Sequence, residues 1–133
     1  MGSRKIILLP DLIKEKTVLG LDCSSKTVGW GLLSFDPIAV VAHGHFNPLP
    51  SKYDFMKRLS NVFDCIEELC NELQPNTIAV EDIIQHMSGP SKSMAQTITI
   101  LAAFNRVASL SAWRKTNDVY FYPVSTIIKI IRQ

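Results

Sequence analysis

Apolar and polar residues alternate along the N-terminal part of the chain in a way that predicts short strands. Three aliphatic-rich runs, Thr17 to Cys23, Thr27 to Phe35 and Ile38 to Phe46, are separated only by turn residues. Consecutive runs of this length with short connections are typical of antiparallel strands. We therefore expect a three-stranded meander, with residues 1–16 forming an N-terminal arm ahead of it.

Two longer segments carry the period of an α-helix instead. Apolar residues recur every three or four positions from Phe55 to Leu73, and Ser51 with Asp54 resembles a capping box at the start of that helix. A second helix is predicted over about Ser91 to Lys115. Its many small residues allow close packing, either in the core or at a dimer interface.

Short strands are predicted on both sides of the second helix, at Thr77 to Val80 and Val119 to Tyr122. Ser125 can cap a last helix that continues to Gln133. The order is then βββαβαβα, and strands joined through helices must be parallel. The predicted fold class is α/β, a five-stranded mixed sheet flanked by helices, and we expect residues 1–133 to form a single domain.

Composition narrows the class of protein. The 133 residues are 47% hydrophobic and 20% charged, which allows a packed core and excludes a disordered chain. No apolar run reaches the roughly 18 residues that cross a bilayer, and the N-terminus lacks the apolar stretch of a signal peptide. Three cysteines without C-x-x-C spacing favour reduced thiols. We expect a cytoplasmic protein without membrane contact, and its net charge of +2 permits nucleic acid binding without requiring it.

Two carboxylates follow aliphatic residues at the ends of predicted strands, Asp22 after the first and Glu81 after the fourth. Charges at such positions are costly unless they are paired or bind a cation, and ligands of α/β sheets bind at these strand ends. If the two strands are parallel neighbours, the acids converge and suit Mg²⁺ or Mn²⁺, which can activate water for phosphodiester hydrolysis. The alternative is that each acid caps a turn or pairs with a lysine. The next residue, Asp82, points to the opposite face if the strand continues, and we expect it to be structural.

The residues around both acids resemble a known family. VLGLDCSSKTVGWGLL, from Val18 to Leu33, is similar to the opening of the RuvC-type Holliday junction resolvases of the RNase H-like superfamily, where an Asp ends the first strand and a Gly-aromatic-Gly follows. Glu81 in IAVEDII resembles the family's second acidic position. VYFYPVSTIIK, from Val119 to Lys129, is similar to its fifth strand and the start of the next helix.

The resemblance implies a divalent-metal-dependent endonuclease of prokaryotic or phage type that cleaves branched DNA, such as four-way junctions, as a homodimer in recombination and repair. Asp22 and Glu81 would be its catalytic metal ligands, with Mg²⁺ or Mn²⁺ as the ion. The family completes its metal site with carboxylates or a histidine after the fifth strand, and this sequence has none there. We therefore expect either a C-terminally truncated core or a protein that has lost catalysis.

Loops near the two acids supply candidate DNA-binding residues, because hydroxyl, ammonium and loop amide groups commonly bind phosphate. The candidates are Ser25, Lys26, Ile84, His86, Ser91 and Lys92. Ile84 stands where the resemblance implies an aromatic that unstacks bases. For the lysines and His86 the alternative is an ordinary solvated loop residue. The basic pairs Lys57-Arg58 and Arg114-Lys115 are expected on solvated helix faces.

Two other functions fit the same element order. The first is a catalytically inactive DNA-binding or assembly module of the same fold, which the missing C-terminal acids favour. The second is an actin- or sugar-kinase-like nucleotide-binding domain, because LDCSSKT loosely resembles a phosphate-binding D-x-G-x-T/S hairpin. The glycine of that hairpin is absent, and 133 residues cannot supply the second domain such proteins need.

Overall fold

The computed structural model describes residues 16–35, 37–82 and 92–122, with side chains in the last range from Ala95 onward. The described chain forms five strands and two helices. In order they are β1 (Thr17–Cys23), β2 (Val28–Ser34), β3 (Ala39–Phe46), α1 (Phe55–Leu73), β4 (Thr77–Glu81), α2 (Lys92–Thr116) and β5 (Val119–Tyr122). The predicted order is confirmed up to β5, while the last helix and residues 1–15 of the arm lie outside the described residues.

The five strands form one mixed sheet in the order β3-β2-β1-β4-β5. β1 pairs antiparallel with β2, and β2 with β3, which is the predicted meander. β4 lies parallel to both β1 and β5, because each crossover through a helix returns the chain to the same end of the sheet. β1 and β4 are therefore neighbours in the middle of the sheet, and their ends lie side by side.

The core lies between one face of the sheet and the two described helices. Leu19, Leu21 and Cys23 of β1 are buried, whereas Asp22 between the last two is exposed on the other face. Alternate strand residues and one stripe of each helix complete the core: Val28, Leu32, Leu59, Val62, Ile66, Cys70, Ile78, Val80, Phe104, Ala108 and Ala112. The predicted core packing of small residues on α2 is thus confirmed at Ala108 and Ala112.

Helix α1 begins three residues later than the capping-box pattern predicts. Asp54 is the N-cap, and its carboxylate accepts a hydrogen bond of 3.2 Å from the Lys57 N–H. Ser51 instead lies in a turn in which the Tyr53 N–H donates to the Pro50 carbonyl at 3.0 Å. The capping box at Ser51 is therefore wrong, because the preceding turn leaves Asp54 as the residue that meets the free N–H groups of the first helical turn.

Both helices end in a left-handed residue that is not glycine. Gln74 follows α1 with φ 47°, and Asn117 follows α2 with φ 59°. The Gln74 N–H donates to the Cys70 carbonyl at 2.8 Å, and the Asn117 N–H donates to the Trp113 carbonyl at the same distance. These bonds satisfy carbonyls in the last helical turns. Neither described helix has the length and apolar content that a membrane span requires.

Candidate functional site

The pairing of β1 with β4 places the two predicted acids side by side. Leu21 is in register with Val80, and both are buried against the helices. The next residue of each strand, Asp22 and Glu81, therefore points to the opposite face of the sheet. The convergence that the strand ends predicted is observed, and it depends on this register.

The electrostatics of the Asp22–Glu81 pair favour binding of a proton or a cation. Burial, the negative charge of Asp22 and a hydrogen bond shared with Asp22 together raise the pKa of Glu81 to about 7. The same field acts on the neighbouring thiol, because burial first and the charges of Asp22 and Glu81 next raise the pKa of Cys23 to about 12. Two carboxylates this close repel each other until a proton or a cation lies between them.

The donor set fits a hard divalent cation as part of its coordination shell. Mg²⁺ is commonly bound by one or two carboxylates, with waters and substrate phosphates as the other ligands. Asp22 and Glu81 are such a pair. In residues 16–35, 37–82 and 92–122, no third histidine, cysteine or acidic side chain lies close enough to share the ion with them. The described chain thus supplies two candidate ligands.

Among the described residues, none covers the sheet surface beside Asp22 at Gly29. Asp22 pairs with Gly29 of β2, and Gly29 pairs with His45 of the edge strand β3. A Cβ atom built at Gly29 would meet no atom of the described chain within 4 Å. On the other side Glu81 is in register with Tyr122 of β5. The two acids therefore have Gly29 on one side and Tyr122 on the other, and the described residues leave the space over Gly29 empty.

The β1–β2 turn brings two of the candidate DNA-binding residues to the same end of the sheet as the acids. The Ser24 hydroxyl closes this turn, accepting the Thr27 N–H at 3.0 Å and donating to the Thr27 carbonyl at 2.9 Å. The Lys26 side chain is exposed beside this closed turn. The Ser25 carbonyl accepts a hydrogen bond of 3.4 Å from the Arg58 guanidinium.

The contacts of Arg58 differ from those predicted from the sequence. The predicted position on a solvated helix face is wrong for Arg58, because its Nε donates to the Leu49 carbonyl at 2.9 Å and its guanidinium lies 5.1 Å from the centroid of the Phe104 ring. Helical spacing predicts which side chains of a helix point away from the core. It does not predict whether loop carbonyls lie within hydrogen-bond distance of those side chains. Arg58 therefore ties α1 to the turn that carries Ser25 and Lys26.

The remaining candidates lie at or beyond the edge of what the structure describes. Three of these candidates fall outside the described residues: Ile84, His86 and Ser91. Lys92 begins α2, but its side chain is not among those described. Their predicted contacts with DNA stay predictions.

Sequence reasoning missed a polar cluster behind Glu81 on the helix side of the sheet. Asp82 is buried there, and Arg106 Nη2 lies 3.6 Å from its Oδ2. The Asn105 side chain is fully buried and donates to the Glu81 carbonyl at 3.0 Å. One signal was available, because Asn105 stands three and seven residues before the buried Ala108 and Ala112, on the core side of α2.

The sheet order, with acids at the ends of its two central parallel strands, defines the RNase H-like class of α/β domains. Solved structures agree on the fold. RuvC from Thermus thermophilus in complex with a Holliday junction substrate superposes with a TM-score of 0.68 at 13% identity, covering 86% of this chain and 68% of that chain. The structure of Thermus thermophilus RuvC determined separately gives 0.60 at 13% identity, covering 80% and 63%.

Sequence comparison identifies the family within this class. It belongs to the family described as crossover junction endodeoxyribonuclease RuvC, whose profile matches residues 18–132. The family protein of Rubrobacter xylanophilus is 28% identical over 110 residues, which are 81% of this chain and 58% of the relative. That of Dictyoglomus thermophilum is 26% identical over 131 residues, covering 85% of this chain and 82% of the relative. The chain thus spans little more than half the length of the Rubrobacter protein.

Proposed function

We propose that this protein is a divalent-metal-dependent endonuclease that cleaves branched DNA, such as four-way junctions, in the cytoplasm during recombination and repair. The observation that carries the proposal is the register of β1 with β4, which sets Asp22 against Glu81 on the open face of the sheet. Membership of the RuvC family supports the reaction type. The three free cysteines are typical of a reducing compartment.

In this proposal Asp22 and Glu81 hold Mg²⁺ or Mn²⁺ through their carboxylate oxygens. The bound ion would polarise the scissile phosphate and acidify the attacking water. Glu81 must release its proton before it can serve as a ligand, so the proton and the cation compete for the pair. The gap above Gly29 admits the DNA backbone to the acids, and the exposed Lys26 ammonium offsets phosphate charge at the same end of the sheet.

Cleavage of a synthetic four-way DNA junction with Mg²⁺ or Mn²⁺ tests the proposal. Linear duplex of the same sequence, Asp22→Asn and added EDTA are the controls, and Asp118→Asn serves as a matched variant because this acid lies at the other end of the sheet. We expect junction cleavage by the wild type and by Asp118→Asn, and none by Asp22→Asn or with EDTA. Equal cleavage by Asp22→Asn would exclude the proposed site.

A second candidate is a DNA-binding or assembly module of the same fold without catalysis. It is favoured by the number of carboxylates, because the described residues bring only two together. Binding of the junction by the wild type without cleavage, in the same reactions, would support this candidate and overturn the proposal of nuclease activity for this chain.

We also propose that residues 1–133 are the core of a longer domain, in line with the length of the Rubrobacter relative.

We propose further that the protein acts as a homodimer through α2. Three large apolar side chains of this helix are exposed, Ile100 at 40%, Leu110 at 52% and Trp113 at 51%. A dimer contact would remove this apolar surface from water. Sedimentation equilibrium should show that the Leu110→Glu dimer associates at least about tenfold more weakly than the wild-type dimer. Ile38→Glu, at a position between β2 and β3 that is 72% exposed, should keep the dimer, and a wild-type monomer would contradict the assignment.

A further inference from the structure

The end of β4 is held from the helix side by a buried amide. The Asn105 Nδ2 donates a hydrogen bond of 3.0 Å to the backbone carbonyl of Glu81. Asn105 is fully buried, and an amide at such a position is tolerated only when its polar atoms are hydrogen-bonded. This bond joins α2 directly to the strand residue whose side chain belongs to the acid pair.

Arg106 determines which way the Asn105 amide faces. Its Nη1 donates a hydrogen bond of 2.6 Å to the Asn105 Oδ1, so the amide oxygen is occupied and the NH₂ group is turned toward the Glu81 carbonyl. Arg106 is in turn fixed at two further points. Its Nη2 lies 3.6 Å from Asp82 Oδ2, and its guanidinium lies 4.4 Å from the centroid of the Phe121 ring.

The peptide that links Glu81 to Asp82 is therefore held on both sides. Asn105 occupies its carbonyl, and the Asp82 N–H donates to the Tyr122 carbonyl of β5 at 2.7 Å. The Asp82 side chain points into the core and meets Arg106, while the Glu81 side chain points to the open face. Holding this peptide sets the direction of the Glu81 Cα–Cβ bond, and with it the position of the carboxylate relative to Asp22.

We propose that Asn105, oriented by Arg106, is a positioning residue for the metal site. It acts through the backbone of Glu81 and touches neither the cation nor the DNA. The proposal rests on the proposed function in one respect, that Glu81 is a metal ligand. Support of a ligand from behind is the general role of outer-shell hydrogen bonds at metal sites, and loss of such a partner typically weakens metal affinity about 10- to 100-fold.

Mn²⁺ binding by calorimetry distinguishes positioning from general stability. Asn105→Ala should bind Mn²⁺ at least about tenfold more weakly than the wild type. Ser111→Ala is the matched control, because its hydroxyl is also buried in α2 and donates to a backbone carbonyl at 2.6 Å, but to Phe63 of α1. Both variants are expected to lower the melting temperature, whereas Ser111→Ala should leave Mn²⁺ affinity within about twofold. Equal loss of affinity in the two folded variants would overturn the proposal.

Arg106→Met keeps the test decisive if Asn105→Ala does not fold. Arg106 is half exposed, with 49% of its side chain accessible, whereas Asn105 is fully buried, so Arg106→Met leaves no cavity in the core. It should also weaken Mn²⁺ binding, by about threefold, because the amide of Asn105 loses the partner that orients it. Affinity equal to the wild type in folded Arg106→Met would argue against the orientation of Asn105 by Arg106.

A readout without metal separates this inference from the proposed function. Native-state hydrogen exchange of the Asp82 amide should be at least about tenfold faster in Asn105→Ala than in the wild type, relative to the amide of Val80 in the same strand. If the wild type binds no Mn²⁺ and Asp82 exchange still accelerates, the metal site fails and the positioning of β4 stands. If the wild type binds Mn²⁺ and neither readout changes in Asn105→Ala, the positioning role fails alone.

Discussion

The two ends of the sheet both carry acids, but they hold them in opposite ways. Where β4 and β5 begin, the Thr77 hydroxyl donates a hydrogen bond of 2.6 Å to Asp118. Nearby the Asn76 side chain accepts the Thr17 N–H at 2.8 Å. Where β1 and β4 end, Asp22 and Glu81 face each other, and the pKa of Glu81 rises to about 7 through burial and the charge of Asp22.

This difference indicates which acids serve the fold and which are available for chemistry. A carboxylate that accepts a hydrogen bond has a polar partner within the fold, whereas two carboxylates placed against each other repel until a proton or a cation binds between them. Perturbed pairs of this kind are concentrated at functional sites. We therefore assign Asp118 to structure and the Asp22–Glu81 pair to function.

Metal binding should separate the two ends most strongly. Asp22→Asn and Glu81→Gln each remove one of the two proposed ligands, and we expect Mn²⁺ affinity to fall by at least about 100-fold in calorimetric titrations. Asp118→Asn should bind as the wild type does. Mn²⁺ affinity that is unchanged in Asp22→Asn would remove the functional assignment of the pair.

Stability should respond in the reverse order. Asp118→Ala leaves the Thr77 hydroxyl without this acceptor and should lower the free energy of unfolding by about 1–2 kcal/mol. Asp22→Asn relieves the repulsion on Glu81 and should leave the stability unchanged or higher. Urea denaturation in EDTA measures both. As a control, Asp118→Asn keeps an acceptor oxygen and should lose less than Asp118→Ala, and a larger loss in Asp22→Asn than in Asp118→Ala would reverse the comparison.

The free energy of unfolding should change with pH because Glu81 titrates at different pH values in the folded and unfolded protein. Its pKa is raised to about 7 in the folded protein, against roughly 4.3 for an unfolded glutamate, so the folded state binds the proton more tightly between these values. The metal-free protein should therefore lose stability as the pH rises from about 4.5 to 7. Because the group is partly exposed to solvent, we expect a change of about 1 kcal/mol.

Glu81→Gln should remove this component of the stability curve in EDTA, and Asp118→Asn should keep it. A curve for Glu81→Gln that parallels the wild type between pH 4.5 and 7 would show that Glu81 titrates normally.

The smallest effect is expected at the end of α1, three residues before Thr77. Gln74 has φ 47°, a conformation that glycine adopts without a steric penalty. Gln74→Gly should raise the free energy of unfolding by about 0.5 kcal/mol, less than the full steric relief because glycine also makes the unfolded chain more flexible. Thermal unfolding measures it, with Mn²⁺ affinity expected to stay at the wild-type value. A lower melting temperature would show that the glutamine side chain stabilises this helix end.

Much of the fold could be predicted because it depends on local patterns. The strands and both helices follow from periodicity, and Asp22 and Glu81 stand out because each ends an aliphatic run. The start of α1 was less predictable, since Ser51 and Asp54 are both good caps and the turn at Tyr53 decides between them. The contacts of Arg58 could not be predicted from helical spacing, because its partner carbonyl at Ser25 lies 33 residues away in sequence.

Asn105 shows the limit of sequence reasoning most clearly. Its polar side chain at a core position signalled a buried partner, but that partner is a backbone carbonyl 24 residues away, which no residue type encodes. Backbone carbonyls are present at every position, so only the packing of α2 against the end of β4 selects the one at Glu81.

The amino-acid sequence by itself determined the order of elements, the family and the presence of two acids at strand ends. These properties depend on hydrophobic periodicity and residue chemistry, which act within short segments of the chain. Only the tertiary structure decided that the acids meet. Side chains alternate between the faces of a strand, so a slip of one residue between β1 and β4 would have placed Asp22 and Glu81 on opposite faces of the sheet. The observed register, with Leu21 beside Val80 in the core, unites them on the open face.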